Sequence, residues 1–260
     1  MNRSIIILSL TLAAAACGST PTSTPNSPTP TANGPVANAA AYSNANANAA
    51  PPAPVVGARV TAATDHKFSS EGIPKGWRWV DSDPLNGPVK YETAGGTLKF
   101  TVPSGKDMFG ENRTAPHMTR PIEGDFQIET RVRFDPKADY QGAGLFIYRD
   151  GENYIRLERA FGGTGGSGSG IRLDARTKDE YTPITTPDQA ETTARSVDLK
   201  IIRVGQKFIG FWRLDENGEW KEVGEFDSDY PDTVEVGIIA CNTGPEIPVE
   251  FSFIKLTPQV

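Results

Sequence analysis

The sequence predicts an all-β domain, a two-sheet antiparallel sandwich of jelly-roll size, carried behind a leader and a polar linker. Three observations predict it. Apolar and polar residues alternate with a period of two through many short segments, as in strands with one buried face. Turn signals stand between them: Gly95-Gly96, Asp150-Gly151, Val204-Gly205-Gln206 and Asn217-Gly218. No stretch sustains a helical period, and the strands outnumber those of an immunoglobulin domain.

The chain opens with Arg3, an apolar run from Ile5 to Leu12, four alanines (Ala13 to Ala16) and then Cys17. The run is too short to cross about 30 Å of hydrocarbon, so residues 1–16 read as a secretory signal peptide. Cys17 after small residues resembles a bacterial lipoprotein signal, which implies lipidation of Cys17 as the mature N-terminus. Such signals usually carry Leu where Ala14 stands here. Ordinary cleavage within the alanine run is the alternative. The expected setting is secreted, with the lipid in the cell membrane. Gly18 and Ser19 after the Cys, with no Asp, favour an outer membrane or cell surface. That setting disfavours ATP- or NAD-dependent chemistry and makes a carbohydrate or envelope polymer the natural partner.

Residues 17–59 form the linker. They are mostly Thr, Pro, Ser, Asn and Ala, with no charged side chain before Arg59. Such a segment buries too little apolar surface to offset its chain entropy, so disorder is expected, extended by its prolines. Residues 60–260 form one domain with enough chain for a substantial core. The net charge of −6 and the lack of a Lys/Arg-rich cluster argue against nucleic acid. There are two cysteines. With Cys17 lipidated, Cys241 has no disulfide partner and reads as a small buried thiol in a strand.

The expected strands, in order, are 77–81, 89–93, 97–102 and 117–121. Next comes a strand in which Phe126, Ile128, Thr130, Val132 and Phe134 alternate with Gln127, Glu129, Arg131 and Arg133. Then follow 142–149, a strand centred on Ile155 and Leu157, one centred on Ile171 and Leu173, and 197–204, 207–214, 220–225, 233–242 and 249–256.

Ala143-Gly144-Leu145-Phe146-Ile147-Tyr148-Arg149-Asp150 followed by Asn153-Tyr154-Ile155-Arg156-Leu157 resembles a motif of concanavalin A-like jelly rolls, specifically the domain of unknown function 1349 family. Trp77 and Trp79, Gly124 to Glu129, Val197 to Gly205, Asp215 to Trp220 and Val236 to Ala240 support the resemblance in order. It covers nearly all of residues 65–257. It implies a sandwich of the lectin and glucanase type, in a family whose members occur beside glycoside hydrolases or as stand-alone secreted proteins. Phe211 to Asp215 departs from the Tyr-Ser pair usual before the turn.

One sheet face is expected to present Glu129, Arg131, Tyr148, Tyr154, Arg156, Glu158, Arg172, Asp174 and Trp212 outward as a ligand-binding surface. Aromatic rings suit the apolar faces of sugars, while carboxylates and guanidinium forks suit hydroxyls. The plain alternative is cross-strand ion pairs that solvate an exposed sheet. No catalytic residue is assigned. Sandwich glycosidases need two carboxylates about 5–5.5 Å apart for retention, or wider for inversion. The nearest single-strand pattern, Glu225-Phe226-Asp227-Ser228-Asp229, ends in an acidic turn. Two rival readings stay open: a glycoside hydrolase drawing on Glu129, Glu158 and Asp174 from separate strands, and a protein-binding adhesion module. His66 and His117 lack zinc spacing. No cofactor is expected, although Asp81-Ser82-Asp83 and Asp227-Ser228-Asp229 offer oxygen ligands to a structural calcium. Trp77 and Trp79 share strand parity and suit the core. Asp107, Phe109 and Arg113 lie in a long loop, the kind that carries binding residues at a sandwich rim. The glycine-rich segment 161–170 reads as a flexible strand connection or a flap.

Overall fold

The computed structural model describes residues 56–259, apart from residues 70, 82, 84–87, 163–167 and 186–189. The leader, Cys17, most of the linker and the centre of the glycine-rich segment therefore lie outside the described residues. Within them the regular elements are all strands, arranged in two sheets.

The first sheet runs β1 (Ala58–Arg59), β6 (His117–Glu123), β15 (Thr233–Cys241), β8 (Gln141–Asp150), β9 (Asn153–Phe161), β10 (Ser169–Thr177) and β11 (Glu180–Pro183). β3 (Arg78–Val80) also pairs with β6. The second sheet runs β14 (Lys221–Asp227), β13 (Lys207–Arg213), β12 (Ser196–Val204), β7 (Phe126–Arg133), β16 (Ile247–Pro258), β5 (Thr97–Val102) and β4 (Tyr91–Ala94). β2 (Thr64–Lys67) joins it on β16. Every named pairing is antiparallel except that of β1 with β6. β15 comes between β6 and β8, and β16 between β5 and β7, so distant segments close both sheets.

Strand alternation places the core. Leu145, Ile147, Leu157, Leu173, Val236 and Ile238 of the first sheet join one buried cluster with Ile128, Val132, Leu199, Ile201, Phe251 and Ile254 of the second. Two sheets that each offer one apolar face bury them against each other. Trp77 belongs to this cluster. Trp79 packs on it, 5.0 Å from Phe100 and 4.8 Å from Tyr91 between ring centres.

Three strands differ from the sequence expectation. β1 falls inside the expected linker, so ordered chain begins before residue 60. Gly57 permits the close approach, since a Cβ there would lie 2.8 Å from Thr233 and 2.9 Å from the Glu123 backbone. β2 and β11 are short, mostly exposed edge strands with no apolar face to mark them.

Candidate functional site

The outer face of the first sheet is built from residues alternating with the core set. β8 contributes Gly142, Gly144, Phe146 and Tyr148; β9 contributes Tyr154, Arg156 and Glu158; β10 contributes Arg172, Asp174 and Arg176. Register aligns Arg156 with Asp174, Glu158 with Arg172, and Tyr154 with Arg176. Six of the nine expected ligand residues therefore lie on this face: Tyr148, Tyr154, Arg156, Glu158, Arg172 and Asp174.

The other three do not. Glu129 and Arg131 belong to β7 and point from the outer face of the second sheet. Trp212 points inward and is 4% exposed in the core. Phe208, Gly210 and Trp212 share parity, and β13 is apolar on both sides, so alternation there does not mark the outer face. Glu129 is thus separated from Glu158 and Asp174 by the whole sandwich, which removes it from any shared carboxylate pair.

Nor is the first-sheet face an open surface. The loop between β5 and β6 crosses it. Met108 and Ala115 of that loop cluster with Phe146, Tyr154, Ile239 and Cys241. The Tyr154 hydroxyl donates to the Met108 carbonyl, and burial raises the Tyr154 pKa to about 12. The loop is tied internally, the Asp107 carbonyl accepting from the amides of Thr114 and Ala115 at 2.9 Å. Outside, Arg113 reaches Asp179 at 3.2 Å, and Arg176 lies 4.4 Å from the Phe109 ring. Phe109 in turn meets Tyr181 edge-on, at 5.9 Å.

Arg156 is the hub beneath this loop. Its Nε and Nη2 donate to the two oxygens of Asp174 at 3.0 and 2.9 Å. Its Nε lies 3.7 Å from Glu158 Oε2, and its Nη1 3.5 Å from Cys241 Sγ. One guanidinium thus serves two carboxylates. Burial raises the Glu158 pKa to about 7, with Asp174 and Asp107 adding to the rise and Arg156 opposing it. Glu158 Oε1 and Arg172 Nε are buried without a hydrogen-bond partner among the described residues. The Glu158 carboxyl leans over Gly142, where a Cβ would lie 2.7 Å from Oε2. Cys241 is buried, as expected, but on this outer face, and burial lifts its thiol pKa well above the ordinary value. Sequence parity with Arg172 and Asp174 carried a signal for Arg176. Nothing in the sequence marked Cys241 as a neighbour of Arg156, because the two are brought together across β8.

The two acidic motifs considered for calcium take cationic partners. Asp81 and Asp83 both lie 3.1 Å from Lys106 Nζ, an ammonium 1% exposed that supplies the positive charge at that point. Asp227 and Asp229 are exposed and face Lys207, Arg149 and Lys178. Among the described residues, no group of three or more His, Cys, Asp or Glu side chains is placed to hold a metal ion.

Solved structures share this fold at low identity. A functionally unknown protein from Saccharomyces cerevisiae matches with a TM-score of 0.58 and 18% identity, over 71% of this chain and 97% of that one. The GH43 protein BlXynB from Bacillus licheniformis matches with a TM-score of 0.59 and 15% identity, over 75% of this chain and 39% of that one. A seed lectin from Lotus tetragonolobus matches with a TM-score of 0.50 and 12% identity, over 75% of this chain and 97% of that one. A comparison with curated proteins returned no match. Residues 85–259 match the family described as Protein of unknown function (DUF1349), and the chain belongs to that family, with a concanavalin A-like sandwich fold.

Proposed function

We infer that the domain binds carbohydrate, without cleaving it, on the outer face of the first sheet. The observation that carries this reading is Glu158, a buried carboxyl with one oxygen unpaired among the described residues, on a rigid strand beside the Arg156–Asp174 pair. With the covering loop displaced, a sugar hydroxyl would supply the missing hydrogen bond, and leaving such a bond unmade is costly. The half-exposed Phe109 ring, on the crossing loop against Arg176, adds apolar surface to the same sheet face. The lectin and the GH43 protein that share the fold make a glycan a natural ligand class.

Asp174 supports the non-catalytic reading. Both its oxygens accept from Arg156 in a two-pronged buried pair, the arrangement of a structural ion pair. The rival reading, a glycoside hydrolase, draws on the raised Glu158 pKa, which suits a general acid. Cys17 would carry a lipid that tethers the protein outside the cytoplasm, and the linker would extend the domain toward an envelope polymer. A glycan array on the full chain, followed by a reducing-sugar assay on every hit, tests the proposal. Binding without product is expected. Product formation that is abolished by Glu158→Gln would replace binding with hydrolysis.

A further inference from the structure

The outer face of the second sheet carries groups that the first-sheet site does not use. Four neighbouring strands align Phe211, Lys200, Glu129 and Lys255 in one row. Arg213, Asp198 and Arg131 form the next. Asp198 is 1% exposed and accepts from Arg131 Nε at 2.7 Å and Arg213 Nε at 2.9 Å. One buried carboxylate therefore fixes two guanidinium planes, leaving an excess of positive charge. Glu129 lies between Lys200 and Lys255, 3.5 Å from the Lys255 ammonium. These two rows set four cations against two largely buried carboxylates, in a chain of net charge −6. Asp215 and Glu216 near Arg131, and Glu222 beside Phe211, form an acidic rim.

Aromatic surface runs through the same patch. Trp220 packs 4.2 Å from Lys200 Nζ and 4.3 Å from the Arg213 guanidinium carbon, and Lys200 is 4.7 Å from the Phe211 ring. Both rings stay partly exposed. Burial lowers the Lys200 pKa, and Arg213 and Lys255 lower it further against the opposing pull of Glu129, so an added negative charge would relieve this ammonium. We propose that this face binds an anionic polysaccharide. Trp220 and Phe211 would meet the C–H faces of the sugar rings, and Arg131, Arg213 and Lys255 would meet carboxylate or sulfate groups. Two ordered guanidinium groups beside partly exposed rings suit a ligand that is both flat and charged, and uronic acid residues combine those properties.

The test is affinity electrophoresis and calorimetric titration of the full chain with polygalacturonate. Retardation is expected at low ionic strength and is lost in roughly 1 M salt. Trp220→Ala and Lys255→Gln should each weaken binding by about five- to tenfold. Lys178→Gln removes an exposed cation from the turn joining β10 and β11 and should change it by less than about twofold. Thermal unfolding establishes that each variant is folded. No binding by the native chain, retained binding by both face variants, equal loss in Lys178→Gln, or tighter binding of an oligonucleotide of matched charge would each overturn the proposal.

Discussion

Arg156 and Asp174 face one another across β9 and β10 in a two-pronged ion pair, with both bonds at 3.0 Å or less, under the loop that carries Met108 and Phe109. Removing one partner of such a pair strands a buried charge. Asp174→Ala is therefore expected to cost about 3–5 kcal/mol of stability, measured by denaturant unfolding. Glu158 would remain as the only nearby anion described against Arg156. A cost below about 1 kcal/mol would mean that the guanidinium reaches solvent when released.

Glu158 gives the fold a pH dependence of definite sign. Its folded pKa, about 7, lies above its ordinary value of 4.5, so the folded state holds the proton more tightly. The contribution is fully present below the unfolded pKa and is lost as pH rises through the folded one. Glu158→Gln keeps the shape without the charge. It should flatten the fall in melting temperature between about pH 5 and pH 8, and should be the more stable chain at the upper end by about 1–3 kcal/mol. Parallel curves for the two chains would contradict the buried-carboxyl account.

Trp212 and Trp220 stand eight positions apart in sequence and should behave oppositely. Trp212 fills core volume, so Trp212→Ala should cost about 3–5 kcal/mol. Trp220 lies on the surface against two cations, so Trp220→Ala should cost about 1–2 kcal/mol. Chemical denaturation of both variants checks the difference.

The Cys241 thiol is buried beside Arg156, and burial keeps it protonated. In a Cys17→Ser variant, thiol reagents should label Cys241 only as fast as the domain opens. Rapid labelling of the folded chain would place the thiol at the surface.

Much of the fold was legible because alternation states which residues face inward. Leu145, Ile155, Leu157, Ile171 and Leu173 are core as expected, and their neighbours Tyr154, Arg156, Glu158, Arg172 and Asp174 point the other way. Alternation does not state which sheet a strand joins, and for that reason it puts Glu129 and Arg131 together with residues that lie on the opposite face. It also fails where both faces of a strand are apolar, as around Phe211 and Trp212. The cover over the site was harder to read. Asp107 to Ala115 lies far from β9 in sequence, and Met108 meets Tyr154 only through the folded topology.

A glycan bound on the outer face of the first sheet would contact the loop over β9 and β10. Hydrogen–deuterium exchange of the full chain, with and without the strongest glycan-array hit, is the decisive measurement of that site. Added protection is expected in residues 104–116 and in β9 and β10, and should be lost in Glu158→Gln. Protection confined to other strands, or an equal response in Glu158→Gln, would contradict it.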